Sequence, residues 1–190
     1  MTAPRRLLWI DDDGPRHYLY ELHRLRALGW DVRWATSAAD AAAALAAEAF
    51  DAALLDQLLP LAPATDGVAA ARSVWGGALL AAHLRDPAAL AGLPAAVRAA
   101  AQPLLHPAPL AANRGLPLLV VSAFDDPEVD ELLARPGLAH PRLGPLRRVP
   151  KPVDFDDLQG FLDDALQVSD PEEDGDEEAA TVRAAPPEAR

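Results

Sequence analysis

Acidic side chains follow two apolar segments of this chain, at the point where each segment ends. Asp11 and Asp12 come directly after residues 7–10 (LLWI), and Asp56 comes directly after residues 52–55 (AALL). If the two segments are neighbouring parallel strands, the three carboxylates meet at one edge of a sheet. Carboxylates held together repel one another and tend to bind a proton unless a positive charge offsets them. Mg2+ supplies such a charge, and it is typically held by one or two carboxylates while it keeps several waters.

A hydroxyl and an amine follow two further apolar segments. Ser122 comes after residues 118–121 (LLVV), and Lys151 comes shortly after residues 146–149 (LRRV). A lysine ammonium binds phosphate as a point charge, and a serine hydroxyl can donate a hydrogen bond to a phosphate oxygen. Carboxylates, a hydroxyl and an amine at successive strand ends therefore predict a site for a phosphoryl group.

Strand-like and helix-like segments alternate along most of the chain, which is typical of an α/β fold with a parallel sheet. Asp13 is predicted to cap the first helix, which begins at Pro15 and stops before Gly29. The predicted apolar stripe of that helix is Tyr18, Leu22, Leu25 and Leu28, and the predicted core also includes Trp9 and Trp34. The predicted strands are 7–10, 31–35, 52–55, 118–121 and 146–149, and the predicted helices are 15–28, 38–48, 77–85, 127–135 and 154–166.

Taken together, these residues resemble the signature of a response regulator receiver domain, the phospho-accepting domain of two-component signalling. That family has an acidic pair after its first strand, a phospho-accepting aspartate after the third, serine or threonine after the fourth, and Lys-Pro after the fifth. The resemblance spans residues 5–167. The corresponding residues here are Asp11, Asp12, Asp56, Ser122, Lys151 and Pro152, with Pro60 in its usual place after the aspartate.

The resemblance implies a flavodoxin-like fold, in which a five-stranded parallel sheet in the order 2-1-3-4-5 has helices on both faces. It also implies how Mg2+ would be held. Asp12, Asp56 and the backbone carbonyl of Leu58 would bind the ion directly, and Asp11 would lie in its outer shell.

The implied function is that of a single-domain response regulator. A histidine kinase or a phosphotransfer protein would donate a phosphoryl group to Asp56, and Lys151 and Ser122 would bind the phosphoryl oxygens. The domain would then signal to a protein target through protein–protein contacts. It would not be an enzyme in the usual sense, because its chemistry is limited to its own phosphorylation and dephosphorylation.

The connection between the third and fourth strands is longer than in the family, and the excess forms an insert of about 61–115. One alignment starts the family's third helix at Gly77. The excess then splits into residues 61–76, beside the phosphorylation site, and residues 86–115, at the opposite end of the sheet. The alternative alignment puts the whole excess in the second place.

The second part of the insert predicts two short helices, at about 87–92 and 94–102, because each would begin at a proline. Its apolar residues outnumber its charges, so we expect them to pack on the domain or to contact another chain, either a partner or a second copy in a homodimer. These apolar residues are Leu90, Leu93, Val97, Leu104, Leu105 and Leu110.

Arg148 lies three residues before the lysine, where receivers usually carry a tyrosine or phenylalanine whose rotamer reports phosphorylation to partners. This departure and the insert favour a second interpretation. In it, the chain is a phosphorylation-independent pseudo-receiver that binds a partner through the insert.

A third interpretation is a phosphatase. Asp11-x-Asp13-Gly14 resembles the nucleophile motif of haloacid dehalogenase-like phosphatases. Those enzymes need a further acidic pair after another strand, whereas Asp163 and Asp164 lie within a predicted helix. This interpretation is the least supported of the three.

The chain has a net charge of −12, and its C-terminal part is the most acidic. Residues 163–190 include ten acidic and two basic residues, and we predict a disordered acidic tail at 168–190 after a receiver-like domain at 1–167. The acidic balance argues against a nucleic-acid partner, since Lys and Arg dominate that binding. The sequence has no Cys and no apolar stretch near the ~18 residues of a membrane span, so we expect a cytoplasmic protein with no membrane partner.

Overall fold

A computed structural model describes residues 4–62, 72–93, 95–101, 113 and 115–169. The strands are β1 Arg5–Ile10, β2 Trp30–Ala35, β3 Ala52–Asp56, β4 Leu59–Pro60, β5 Arg72–Ser73, β6 Leu118–Ser122 and β7 Arg147–Pro150. The α-helices are α1 Leu19–Ala27, α2 Ala38–Ala47, α3 Gly76–Arg85, α4 Ala95–Ala101, α5 Pro127–Leu133 and α6 Phe155–Ser169. Short 3-10 helices cover Pro15–Tyr18, Pro87–Gly92 and Pro136–Leu138.

Five strands form one parallel sheet in the order β2-β1-β3-β6-β7. When the short β4/β5 hairpin is left out of the numbering, this is the predicted order 2-1-3-4-5, which is confirmed. The register pairs Asp56 with Val121 and Ser122 with Pro150. The C-terminal ends of β1, β3, β6 and β7 therefore lie along one edge of the sheet.

Both faces of the sheet are covered, and this explains the continuously apolar central strands. Along β1, Leu8 and Ile10 face a core that also contains side chains of α2, α3 and α5. Leu7 and Trp9 face the opposite core, which contains side chains of α1 and α6. Alternate residues of a strand point to opposite faces, so a strand buried on both sides has no polar positions.

The first helix differs from its prediction at both ends. A 3-10 turn, Pro15–Tyr18, precedes α1, and Gly14 with φ 77° takes the N-cap position of that turn. The prediction that Asp13 is the N-cap was therefore wrong by one residue. Leu28 was wrongly placed in the apolar stripe: α1 ends before it, and the side chain is 44% exposed. Gly29 follows with φ 87°, as expected of a residue that ends a helix.

The position of α3 favours the alignment that starts the third helix near Gly77, since α3 spans Gly76–Arg85. Strand β5 in the first part of the insert pairs with β4, which lies just before the insert, in an antiparallel β4/β5 hairpin that the sequence did not predict. The backbone N–H of Ala39 bonds to the carbonyl of Leu61 at 3.0 Å, which ties this hairpin to α2.

The second part of the insert begins at the far end of α3, roughly 15 Å from the site for a ten-residue helix. It contains the two predicted short helices, as the 3-10 helix Pro87–Gly92 and the α-helix α4. Leu90 and Leu93 are buried in the same core as α2, α3 and α5, and Val97 packs against it. The described apolar residues of the insert therefore pack on the domain itself. The others, Leu104, Leu105 and Leu110, lie outside the described residues, as does the predicted tail beyond Ser169.

In the described part of the chain, no helix is both long enough and apolar enough to cross a membrane.

The start of α3 packs directly on the backbone that follows β3. A Cβ added at Gly76 would overlap the carbonyl group of Leu59, and one added at Gly77 would overlap the carbonyl oxygen of Asp56. The backbone N–H of Gly77 donates to the carbonyl of Gln57 at 3.2 Å. These two glycines allow α3 to support the loop that carries Asp56.

We expect Gly77→Ala to lower the free energy of unfolding by about 1–3 kcal/mol, because backbone atoms cannot move aside as a flexible side chain can. The matched control is Gly160→Ala in α6, where an added Cβ meets nothing within 4 Å. That change should stabilise the protein by up to about 1 kcal/mol through helix propensity. Urea unfolding of both variants measures the difference, and equal effects would contradict the close packing described for α3.

Candidate functional site

Three carboxylates from two strand ends meet at the edge of the sheet. Oxygen atoms of Asp11, Asp12 and Asp56 lie within 4.8 Å of one another. Asp11 is 1% exposed and Asp56 is 5% exposed, whereas Asp12 is half-buried. Strands β1 and β3 are adjacent and parallel, and their register brings these carboxylates together, as the sequence predicted.

Lys151 places its ammonium group between two of these carboxylates. Its Nζ donates to Asp11 Oδ2 at 2.7 Å and to Asp56 Oδ2 at 2.8 Å, and it lies 4.0 Å from Asp13 Oδ2. The backbone N–H of Lys151 bonds to the carbonyl of Ser122 at 3.1 Å, which fixes the end of β7 against β6. One ammonium thus contacts two of the three clustered carboxylates directly.

The two partners of this contact respond differently to burial. Burial raises the pKa of Asp56 to about 6, although the hydrogen bond and the charge of Lys151 oppose the increase. Burial also works to lower the pKa of Lys151, but hydrogen bonds and charges from Asp11 and Asp56 outweigh it and raise that pKa above its usual value. Lys151 therefore stays protonated, while Asp56 has one shared cation and little solvent to stabilise its charge.

Asp11 is held by more contacts than its position in the sequence suggests. Its Oδ2 accepts a hydrogen bond from the Tyr18 hydroxyl at 2.8 Å, and its Oδ1 accepts one from the Asp13 N–H at 2.9 Å. Trp34 Nε1 donates to the Asp11 carbonyl at 2.7 Å. The sequence reading assigned Tyr18 and Trp34 to the core only. A usable signal was present, because a buried Tyr or Trp usually needs a polar partner.

Ser122 lies at the same edge of the sheet but is engaged locally. Its Oγ donates to the carbonyl of Phe124 and accepts from the N–H of Phe124, both at 3.0 Å. Within the described residues, none of its hydrogen bonds reaches the carboxylates. The hydroxyl must give up its hydrogen bond to the Phe124 carbonyl before it can donate to another group.

Leu58 is tied to Asp56 through its backbone N–H, which donates to Asp56 Oδ1 at 3.1 Å. This contact keeps the loop after β3 close to the carboxylate. The use of the Leu58 carbonyl as a metal ligand stays a prediction.

Arg148 joins β7 to the loop and helix that follow β6. Its Nη1 contacts Asp130 Oδ1 at 2.6 Å, and its Nη2 contacts both the carboxylate of Asp125 and the carbonyl of Phe124. The residue at the usual aromatic position is therefore anchored by ion pairs. The same Phe124 carbonyl accepts from Ser122, so Arg148 is one contact away from the site.

The donor set suits a hard divalent cation. All the converging atoms are carboxylate oxygens, which Mg2+ prefers. A thiolate or imidazole metal site is not indicated, since the chain has no Cys and no His belongs to this cluster.

No protein-family sequence model matches the chain, and no curated protein matches it in sequence. Solved structures do match. A CheY-like response regulator receiver domain protein from Methanospirillum hungatei JF-1 is 21% identical, with 87% of this chain and 98% of that chain covered and a TM-score of 0.52. The receiver domain of a signal transduction histidine kinase from Syntrophus aciditrophicus is 16% identical, with 90% and 96% covered and a TM-score of 0.57.

A third match is the receiver domain of a sensor histidine kinase from Pseudomonas aeruginosa PAO1, which has a magnesium ion coordinated in its active-site cleft. It is 17% identical, with 87% of this chain and 99% of that chain covered and a TM-score of 0.50. The chain therefore has the fold of response regulator receiver domains. At these identities the likeness establishes the fold, and the function must be argued from the site.

We expect Asp56→Asn to stabilise the protein at pH 7.5 without Mg2+. The raised pKa of Asp56 means that stability present below the ordinary value of 3.8 is lost as the pH rises through about 6, because the folded state then holds a poorly solvated charge. Removing that charge should raise the free energy of unfolding by about 1–2 kcal/mol. This is less than the whole effect of the pKa shift, because Lys151 also loses a carboxylate acceptor. Urea unfolding at pH 7.5 and at pH 4.5 measures it.

The increase in the free energy of unfolding of Asp56→Asn should largely disappear at pH 4.5, where Asp56 is protonated in the folded wild type. The control is Asp163→Asn, an exposed carboxylate on α6 that should change stability little at either pH. Destabilisation by Asp56→Asn at pH 7.5 would show that the charge of Asp56 is well compensated.

Proposed function

We propose that this chain is a response regulator receiver domain that accepts a phosphoryl group on Asp56 from the phosphohistidine of a histidine kinase or phosphotransfer protein. The observation that carries the proposal is the contact of Lys151 Nζ with both Asp11 and Asp56 at the acidic edge of the sheet. A receiver-type fold alone would not imply this chemistry. The acidic cluster with its lysine supports it.

Mg2+ fits the site as its cofactor. Asp12, Asp56 and the carbonyl of Leu58 would hold the ion, with Asp11 in the outer shell. When bound, the ion would offset the charge of the carboxylates and of the incoming phosphoryl oxygens.

Asp56 is the nucleophile in this proposal. One of its carboxylate oxygens forms a bond to phosphorus while the bond between phosphorus and the imidazole nitrogen of the donor breaks, so the imidazole leaves with the electron pair and takes up a proton. Lys151 already lies 2.8 Å from Asp56 and can pair with the phosphoryl oxygens without leaving the site. Ser122 would exchange its contact with Phe124 for one with a phosphoryl oxygen.

Signalling would follow from that exchange, through contacts between the domain and a protein target. The proposed setting is the cytoplasm, and catalysis would be confined to the domain's own phosphorylation and dephosphorylation. A homodimer is compatible with this proposal, and nucleic acid and membranes have no role in it.

The pseudo-receiver alternative is favoured by one observation. Arg148 is fixed by Asp125, Asp130 and the Phe124 carbonyl, so it cannot change rotamer as freely as the aromatic side chain that receivers usually have there. In this alternative the acidic cluster would be inherited but unused.

Incubation of the chain with Mg2+ and acetyl phosphate, followed at once by intact-mass measurement, tests the proposal. We expect the mass of one phosphoryl group to be added to the wild type and to the control Asp31→Asn, an exposed carboxylate on β2. Asp56→Asn should gain nothing, because it lacks the nucleophile. Full labelling of Asp56→Asn would show that the site assignment is wrong, and no labelling of the wild type would favour the pseudo-receiver alternative.

A further inference from the structure

Lys151 is the only lysine in the chain, and the other cationic side chains apart from the histidines are all arginines. Its side chain is 14% exposed, and its ammonium lies between Asp11 Oδ2 at 2.7 Å and Asp56 Oδ2 at 2.8 Å. A lysine ammonium is a point charge on a flexible four-carbon stem, so the side chain does not fix its own position. The two carboxylates that accept from Lys151 therefore determine where the ammonium lies.

One of these two acceptors changes in the proposed reaction. Once an oxygen of Asp56 is bonded to phosphorus, this residue no longer offers Lys151 an ionised carboxylate. Asp11 undergoes no covalent change, so it can accept from Lys151 both before and after phosphoryl transfer. The position of the ammonium during the transfer therefore depends on Asp11.

Asp11 is anchored at its side chain and at its main chain. Its Oδ2, the oxygen that accepts from Lys151, also accepts from the Tyr18 hydroxyl at 2.8 Å. Its Oδ1 accepts from the N–H of Asp13 at 2.9 Å, and its carbonyl accepts from Trp34 Nε1 at 2.7 Å. Tyr18 and Lys151 thus donate to the same carboxylate oxygen.

Tyr18 is itself held in place by two indole rings. Its ring centroid lies 4.8 Å from that of Trp9 and 5.6 Å from that of Trp34. The tyrosine is buried, and burial followed by the charge of Asp11 raises its pKa, so the hydroxyl remains a donor at neutral pH. A buried donor whose ring is packed on both sides can orient the carboxylate that it contacts, in the way that supporting hydrogen bonds orient the ligands of a metal.

We propose that Tyr18 is a positioning residue for Lys151. Its hydroxyl orients Asp11, and Asp11 holds the ammonium at the place where it pairs with the phosphoryl oxygens. Without the hydroxyl, Asp11 Oδ2 loses the donor that fixes it, and the ammonium moves with the carboxylate. The inference rests on the proposed function, because the position of Lys151 affects the chemistry only if Asp56 accepts a phosphoryl group.

The first test is the rate at which acetyl phosphate labels the chain, measured at a Mg2+ concentration that saturates each variant. Tyr18→Phe keeps the ring and removes the donor. We expect its labelling rate to fall about tenfold, since loss of such a supporting hydrogen bond typically costs about 10–100-fold in activity. The matched control is Tyr20→Phe, which should label at the wild-type rate because Tyr20 is 64% exposed and its hydroxyl contacts Arg24.

The second test is a spectroscopic signal from Lys151 itself. Incorporation of ¹⁵N-lysine gives a single side-chain ammonium resonance, because the chain has one lysine. We expect Tyr18→Phe to shift this resonance or to broaden it through exchange with water, and Tyr20→Phe to leave it unchanged. Slower labelling with a wild-type ammonium resonance would overturn the inference, because the effect would not pass through Lys151. An unchanged labelling rate would also overturn it.

If Tyr18→Phe does not fold, Trp9→Phe takes its place in both measurements. That change loosens the packing of the Tyr18 ring and keeps the bonds from Trp34 and Asp13 to Asp11. Slower labelling with an altered ammonium resonance supports the inference, and wild-type behaviour in either measurement overturns it. A wild type that gains no phosphoryl group would contradict the proposed function instead, and the ammonium resonance would then decide whether Tyr18 positions Lys151.

Discussion

Mutual repulsion among Asp11, Asp12 and Asp56, offset in part by Lys151, is the constraint on which the site depends. The oxygens of these three carboxylates lie within 4.8 Å of one another. Ionisation of all three costs free energy unless a positive charge lies among them. The parallel register brings them together, and the two cores behind the sheet prevent the strands from moving apart. The fold therefore holds a charge cluster whose repulsion a cation can relieve.

Other features of the chain support this edge of the sheet through packing and ion pairs. The glycines that open α3 let that helix lie against the loop after Asp56, and a long insert is placed at the far end of the same helix. Arg148 ties β7 to the loop after β6 and to α5 with ion pairs. Ser122 and Arg148 both donate to the Phe124 carbonyl. A change in the hydrogen bond of the Ser122 hydroxyl would therefore alter the contacts of Arg148.

The sequence predicted the sheet and the acidic cluster because both depend on local pattern. Apolar strands that end in charged residues define where Asp56 and Lys151 must lie once the strands are parallel. The hydrogen bond from Tyr18 to Asp11 was missed, since a helical stripe shows which residues are buried but not which of them reaches a strand end. The hairpin of β4 and β5 was missed for a similar reason: two-residue strands have no periodicity to detect.

The most direct test of the central claim is the stability of the intact protein as a function of Mg2+ concentration at pH 7.5. An ion that relieves the carboxylate cluster binds the folded state, so the free energy of unfolding should rise by about 1.4 kcal/mol for each tenfold increase once Mg2+ exceeds its Kd. Asp12→Asn should lose most of that rise. A stability that does not depend on Mg2+, or an equal rise in Asp12→Asn, would contradict the claim that these carboxylates form a cation site.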